Sequence, residues 1–389
     1  ADDRLTAKSE EAVFSAVARF AEAKQPAEAA LLGLLRSVRF SLMSEQFVVE
    51  TVRNLPLLQT MAGQRFLVEM LAPILSGPAR QPRWGFAPRT LYVLGGIRWA
   101  NHRGTRSPSV EIYAPQGDSW TMVGAPMPIL IARSIATAAV LGRKIYVTGE
   151  RIQGEGGHGG VHAFDLDAGA WEELAPMNTS RIEHTSAVVG SKLFVIGGYD
   201  EEAAERHASV EALDPQTGVW TEVAPMPAGA RDELGAAVLD GKIYAIGGSA
   251  VDRDALDTVE VYDPATNTWA EAPAMNQSRR GPGVAELGGK IFVAGGEGVG
   301  SDTLSSVEAF DLQTNAWESV APMRVQRADF TLTAVMGKLY AVGGMAHSAV
   351  AACAVEVYDP LQNRWEAVAA ADVPLFAADR CTGHAAVAV

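Results

Sequence analysis

Cysteine is nearly absent from this chain: there are two in 389 residues, Cys353 and Cys381. That excludes a disulfide-stapled scaffold and suits a reducing compartment, so the expected setting is cytoplasmic. No apolar run reaches the ~18 residues that a membrane-spanning helix needs. Ala1 to Ser9 are too polar and charged for a secretory signal. The chain begins without Met, as a processed protein or a piece of a longer one would. Histidine is sparse and scattered: of the seven, only His158 and His162 lie close together, in a Gly-rich loop, too few ligands for a metal centre. The same loop, Gly154 to Gly159, matches the dinucleotide fingerprint by letter, but the segment after it has the pattern of a strand and not of the required helix. There is no Gly-x-Ser-x-Gly elbow and no phosphate-binding P-loop. These absences lead us to expect a non-catalytic protein with no cofactor and no metal.

Positive charge is also in short supply, and unevenly so. The first 88 residues carry 10 basic and 9 acidic side chains, leaving 22 basic and 37 acidic for the rest, a net of −15 there. An acidic body of this kind disfavours general binding to nucleic acid or to anionic membranes.

What is present falls into two regions. Before residue 80 apolar residues recur at helical spacing, as in Val13, Phe14, Val17 and Phe20 or Phe66, Leu67 and Leu71, which predicts four short helices. We expect a helical domain over 1–80, a Gly/Pro-rich linker over 81–88 and a repeat array over 89–389. In the array Trp120, Trp171, Trp220, Trp269, Trp317 and Trp365 are separated by 51, 49, 49, 48 and 48 residues. Each follows a glycine pair by 22 to 25 residues: Gly95-Gly96, Gly197-Gly198, Gly247-Gly248, Gly295-Gly296 and Gly343-Gly344, with Gly149-Glu150 as the degenerate second pair. Three residues before each pair stands an aromatic, from Tyr92 to Tyr340.

One repeat shows the physical logic. Leu234 to Leu239 and Lys242 to Ile246 read as strands joined by Asp240-Gly241, a two-residue hairpin turn. Thr258 to Tyr262 reads as a third strand, the turn through Asn267 follows, and Trp269 lies on a fourth. Four antiparallel strands per repeat place short uniform turns on one face of a disc and longer, variable loops on the other, which marks the variable face as the working one. The first repeat lacks an opening strand before Tyr92, whereas Arg380 to Val387 has the opening pattern with nothing after it. The C-terminus is therefore expected to complete the first blade and remove the exposed edges.

A period near 50 with a glycine pair, a tyrosine and a tryptophan resembles the Kelch repeat, one propeller blade each. In the first region Ala1 to Glu11 with Val13-Phe14, Ser37 to Met43 and Leu55 to Leu58 are similar to stretches of the BACK domain. Together they resemble the Kelch-like (BTB-BACK-Kelch) substrate adaptors of cullin-3 ubiquitin ligases, here without the BTB part. The resemblance implies an all-β six-bladed Kelch β-propeller with an N-terminal α-helical, BACK-like segment. It implies that the propeller binds a protein substrate and that cullin-3 is reached only through the BTB region. The competing reading is a structural Kelch propeller, for example an actin-binding protein without ligase function.

Six arginines share one register, Arg133, Arg181, Arg231, Arg279, Arg327 and Arg380. In the family, arginines at some of these positions grip acidic motifs, and a guanidinium fork suits carboxylates. An arginine in every blade is equally what a structural role would produce, by pairing with the recurring Glu111, Glu211, Glu260, Glu308 and Glu356. The first-blade loop adds Arg98, Trp99, Arg103 and Arg106, an arrangement suited to anchoring a partner. The candidate substrate-binding set is therefore Arg133, Arg181, Arg231, Arg279, Arg327, Arg380, Arg98, Trp99 and Arg103, with an acidic or phosphorylated protein segment as the expected ligand.

Overall fold

The computed structural model describes residues 90–100, 103–128, 137–149, 159–250, 254–345, 355–368, 380–382 and 385–389. For residues 97–100, 103–106 and 380–382 the backbone alone is described. The chain divides into two compact units, Ala1–Phe86 and Ala87–Val389. The four expected helices lie outside the described residues.

The second unit is a six-bladed β-propeller. Each blade is a four-stranded antiparallel sheet whose strands follow in chain order from the centre outward, except in blade one. Blade four is typical: Gly235–Leu239, Lys242–Ile246, Val259–Asp263 and Thr268–Ala272. Its first hairpin turns on Asp240 and Gly241, with φ of 51° and 74°, the left-handed pair that matches strand twist. Blade one takes its inner strand from the far end of the chain. Ala385–Ala388 pairs with Leu91–Leu94 in the register Leu91 to Ala388 and Leu94 to Ala385. Backbone bonds between Thr90 and Val389 extend the ladder in both directions. The inner strands then neighbour one another in a full circle, Ala385–Ala388, Thr137–Leu141, Thr185–Val189, Gly235–Leu239, Gly283–Leu287, Thr331–Val335 and back to Ala385–Ala388.

The core is divided among the seams. Each of six apolar clusters joins two neighbouring blades; the cluster between blades three and four, for instance, contains Phe194, Ile196 and Leu213's neighbour Ala212 on one side and Leu234, Ile243 and Tyr262 on the other. Burial of this kind is worth roughly 1.5–3 kcal/mol per large side chain, so the seams hold the ring together. Aromatic pairs cross them, with Phe194 and Tyr262 5.8 Å apart and Tyr244 and Phe310 6.0 Å apart. In blades three to six the repeated tryptophans tie the outer strand to the blade before it: the indoles of Trp220, Trp269, Trp317 and Trp365 donate to the carbonyls of Ala175, Ala224, Pro273 and Ala321 at 2.7–2.9 Å.

The glycine pairs are a seam device. Gly198, Gly248 and Gly296 each donate their N–H to the carbonyl of Arg231, Arg279 and Arg327 in the following blade, all at 2.9 Å. A Cβ on Gly247 would come within 2.5 Å of the Arg279 carbonyl, and its φ is +61°, so only glycine serves there.

Candidate functional site

Four of the register arginines are interior residues. Arg181, Arg231, Arg279 and Arg327 are between 0 and 1% exposed. Each stands just before an inner strand and turns back into its own blade. Arg181 donates from Nη1 to the Gly197 carbonyl at 2.8 Å and from Nη2 to Glu211 Oε1 at 2.8 Å. Arg279 repeats this with Gly295 at 2.7 Å and Glu308 at 3.0 Å, and Arg327 with Gly343 at 2.7 Å and Glu356 at 2.6 Å. Arg231 binds the Gly247 carbonyl at 3.1 Å and is ion-paired with Glu260. The glutamates also hold the chain arriving from the previous blade, since Asn178, Ala228, Asn276 and Arg324 donate their N–H to Glu211, Glu260, Glu308 and Glu356. Burial pulls all four guanidiniums below their usual range, Arg231 to about 10, while the paired glutamate opposes the shift at Arg181, Arg279 and Arg327. A charge this far from water is tolerated only because it is paired and hydrogen-bonded on several sides.

Expected to touch a ligand, these four arginines are enclosed within their blades. They have almost no surface to offer, and their Nη donors are committed to backbone and side-chain acceptors, while Nε of Arg181 and of Arg279 meets no acceptor among the described residues. The pairing with the recurring glutamates is what the structure shows for Glu211, Glu260, Glu308 and Glu356. In blade one Glu111 occupies the same place and is buried. The register there is one residue longer: Ile97, just after the glycine pair, faces Thr382, two residues past Arg380, whereas Tyr199 in blade three faces Ile182, one residue past Arg181. Arg133 lies outside the described residues.

The remaining candidates share a small three-stranded sheet, Arg380–Thr382, Ile97–Ala100 and Arg103–Arg106, on the loop side of blade one. Its register sets Trp99 opposite both Arg380 and Gly104, and Ala100 opposite Arg103. The far ends of the chain's second unit thus meet in one short sheet as well as in the blade beneath it.

The central mouth is acidic, which the arginine register concealed. Two residues after four of the arginines come Glu183, Glu233, Gly281 and Asp329, each with positive φ. They are linked in a chain of backbone bonds from blade to blade: Glu233 N–H to the Glu183 carbonyl at 2.8 Å, Gly281 to Glu233 at 2.8 Å and Asp329 to Gly281 at 3.0 Å. The carboxyls crowd one another. Burial first, then the charges of Glu233, Glu297 and Glu183, pushes Asp329 up to about 7. Burial, Glu233, Asp232 and Glu201 push Glu183 up to about 7 as well. Burial also raises Glu233, against the pull of Arg280. The two arginines nearby are already engaged: Arg280 Nε donates to Glu297 at 2.9 Å, and Arg206 lies 2.9 Å from Asp232. The sequence signal for this ring was the acidic residue two places past Arg181, Arg231 and Arg327.

Residues 86–296, more than half of the chain, match the KLHDC2/KLHL20/DRC7 Kelch-repeats domain. The chain belongs to the Kelch-repeat family. Further Kelch motifs match at 278–324 and 326–370, and residues 1–53 match the BACK domain, described as BTB And C-terminal Kelch. Human Kelch-like protein 35 is 30% identical over 211 residues, covering 51% of this chain and 34% of that protein. Mouse Kelch-like protein 38 is 32% identical over 217 residues, covering 51% and 36%. The matched part of the chain thus spans about a third of the length of these relatives. A solved structure described as "Structure of YjhT" superposes with a TM-score of 0.60 at 16% identity, over 72% of this chain and 97% of that one, and shows the fold alone.

Among the described residues no three His, Cys, Asp or Glu side chains are placed to hold a metal ion. No helix among them is long and apolar enough to cross a membrane.

Proposed function

We propose that this Kelch protein is the substrate-recognition part of a cullin-3 ubiquitin ligase adaptor, its propeller holding a protein substrate at the loop side of the ring. The observation that carries the reading is the succession of a BACK match and Kelch matches in one chain. The partners perform the chemistry; the propeller supplies affinity and selection. The acidic-segment reading now rests on Arg98, Trp99, Arg103 and Arg380 in the small sheet of blade one, with Arg133 as the sequence's further candidate. A second subsite reading is favoured by the carboxylates of Glu183, Glu233 and Asp329, which suit a cationic side chain of the same partner. The two together select a segment carrying both signs of charge and repel simple polyanions.

The test uses the full-length protein in cells. Cullin-3 should co-purify with it, and the proteins it captures should accumulate when cullin-3 is inhibited. Replacing Arg98 and Arg103 by Glu should lower capture by ~10-fold or more without changing cullin-3 association. Co-sedimentation with actin filaments and no cullin-3 association would favour the scaffold reading instead.

A further inference from the structure

The seam between blades two and three differs in chemistry from the seams that follow it. At the end of each second strand, just before the glycine pair, stands an apolar residue: Leu94, Ile196, Ile246, Ala294 and Val342. In the seams after blades three and five this residue shares an apolar cluster with the residue three places past the next arginine, Ile196 with Leu234 and Ala294 with Phe330. Between blades two and three the same two places hold Thr148 and His184. Thr148 Oγ1 and His184 Nε2 are 2.8 Å apart and hydrogen-bonded, with Thr148 1% and His184 6% exposed. In sequence, Glu150 stands where five blades have their second seam glycine.

The surroundings of His184 make a proton unwelcome. Its own segment brings the Arg181 guanidinium, fixed by Glu211, and His207 lies under the same positive field. Across the seam it meets the uncharged Thr148. Glu183, next to it in the chain, belongs to the ring at the mouth and accepts the N–H of Glu233 at 2.8 Å. Blade two has a second buried histidine: His162, 5% exposed, faces Glu173 on the neighbouring strand and holds the place that Glu211, Glu260, Glu308 and Glu356 hold in the later blades.

From this geometry we infer that the seam between blades two and three is an acid-labile joint, the place where the propeller opens first as pH falls, by parting of the Thr148 and His184 contact while the mouth at Glu183 stays closed. Burial, then Arg181, holds His184 at about 3, against 6.5 for a free histidine. A group depressed in the closed state gives stability that is whole above 6.5 and is lost as pH falls from there toward 3, because only the open seam binds the proton. Between pH 7 and pH 5 this histidine alone raises the opening equilibrium about 20-fold.

The test is hydrogen exchange on the intact chain at pH 7 and pH 5, corrected for intrinsic rates. Protection in Lys144–Thr148 and Thr185–Val189 should fall about 20-fold relative to Lys290–Ala294 and Thr331–Val335. Two variants should abolish that difference: T148I/H184L, which copies the Ile196 and Leu234 pair, and His184→Gln, which keeps a neutral hydrogen bond and cannot titrate. A uniform loss of protection across all blades, or an undiminished difference in His184→Gln, overturns the proposal.

Discussion

Blades three to six and blade two build the same four-stranded sheet with different interiors. In the former, a glutamate on the third strand takes an arginine from below and a backbone N–H from the arriving linker, and the tryptophan indole reaches a carbonyl of the preceding blade. In blade two the glutamate is replaced by His162, and neither His162 Nδ1 nor Trp171 Nε1 has a partner among the described residues. The strand pairing is nevertheless unbroken, from Thr137 opposite Thr148 to Asp165 opposite Ala170. The comparison teaches that strand ladders and seam packing are enough to form a blade. The buried ion pair is an addition that locks a blade to its linker, at the cost of desolvating two charges.

The comparison breaks most severely if the ring itself is opened. Removing residues 380 to 389 deletes the inner strand of blade one and exposes the cluster around Ala385 and Val387, which also contains Ile145 and Phe164 of blade two. We expect a loss above ~5 kcal/mol, or failure to unfold cooperatively, read by thermal denaturation. An unchanged midpoint would mean that closure adds nothing to the seams.

A smaller effect separates the two kinds of blade directly. Arg279→Ala strands Glu308, 3% exposed, without its counter-charge, and should cost about 3–5 kcal/mol. Arg133 precedes His162 by 29 residues, the interval that separates Arg231, Arg279 and Arg327 from their glutamates. Arg133→Ala should therefore cost less than ~1 kcal/mol, since no glutamate waits at that position to be left alone. Equal losses for the two variants in urea melts would show that blade two has found another acceptor.

These contrasts show what could be read from the residues and what could not. The six blades, their hairpins and their seams follow from local signals, glycine pairs, Asp240-Gly241 and the tryptophan interval, because each works within one repeat. The fate of the arginines did not follow, because a guanidinium beside a recurring glutamate has the same spacing whether the pair is buried or open. Only burial decides it, and burial depends on how two blades meet. The acidic mouth was missed for a related reason: Glu183, Glu233 and Asp329 are about 50 residues apart or more and meet only once the ring is closed. The substitution of His162 for glutamate was visible in the register, but the histidine count drew attention to metals and away from the pattern it interrupts.

The smallest expected effect concerns that mouth and has the opposite pH sign to the joint between blades two and three. Asp329, Glu233 and Glu183 are pushed upward by burial and by one another, Asp329 and Glu183 to about 7. A carboxyl raised above its unfolded value of 3.8 binds its proton better in the folded chain, so folding is favoured below that value and loses ground as pH rises through 7. Asp329→Asn removes the charge and keeps the shape. The variant should match the parent near pH 4 and become more stable as pH rises, by roughly 1–2 kcal/mol at pH 8 after allowance for water in the mouth and for coupling among the three carboxyls. His184→Gln should show its advantage at the other end, below pH 6.5. Melting temperatures of both variants across pH 4 to 8 test the pair of signs together. If Asp329→Asn gives the same difference at every pH, the mouth carboxyls are not sharing charge, and the cationic subsite loses its basis in crowding.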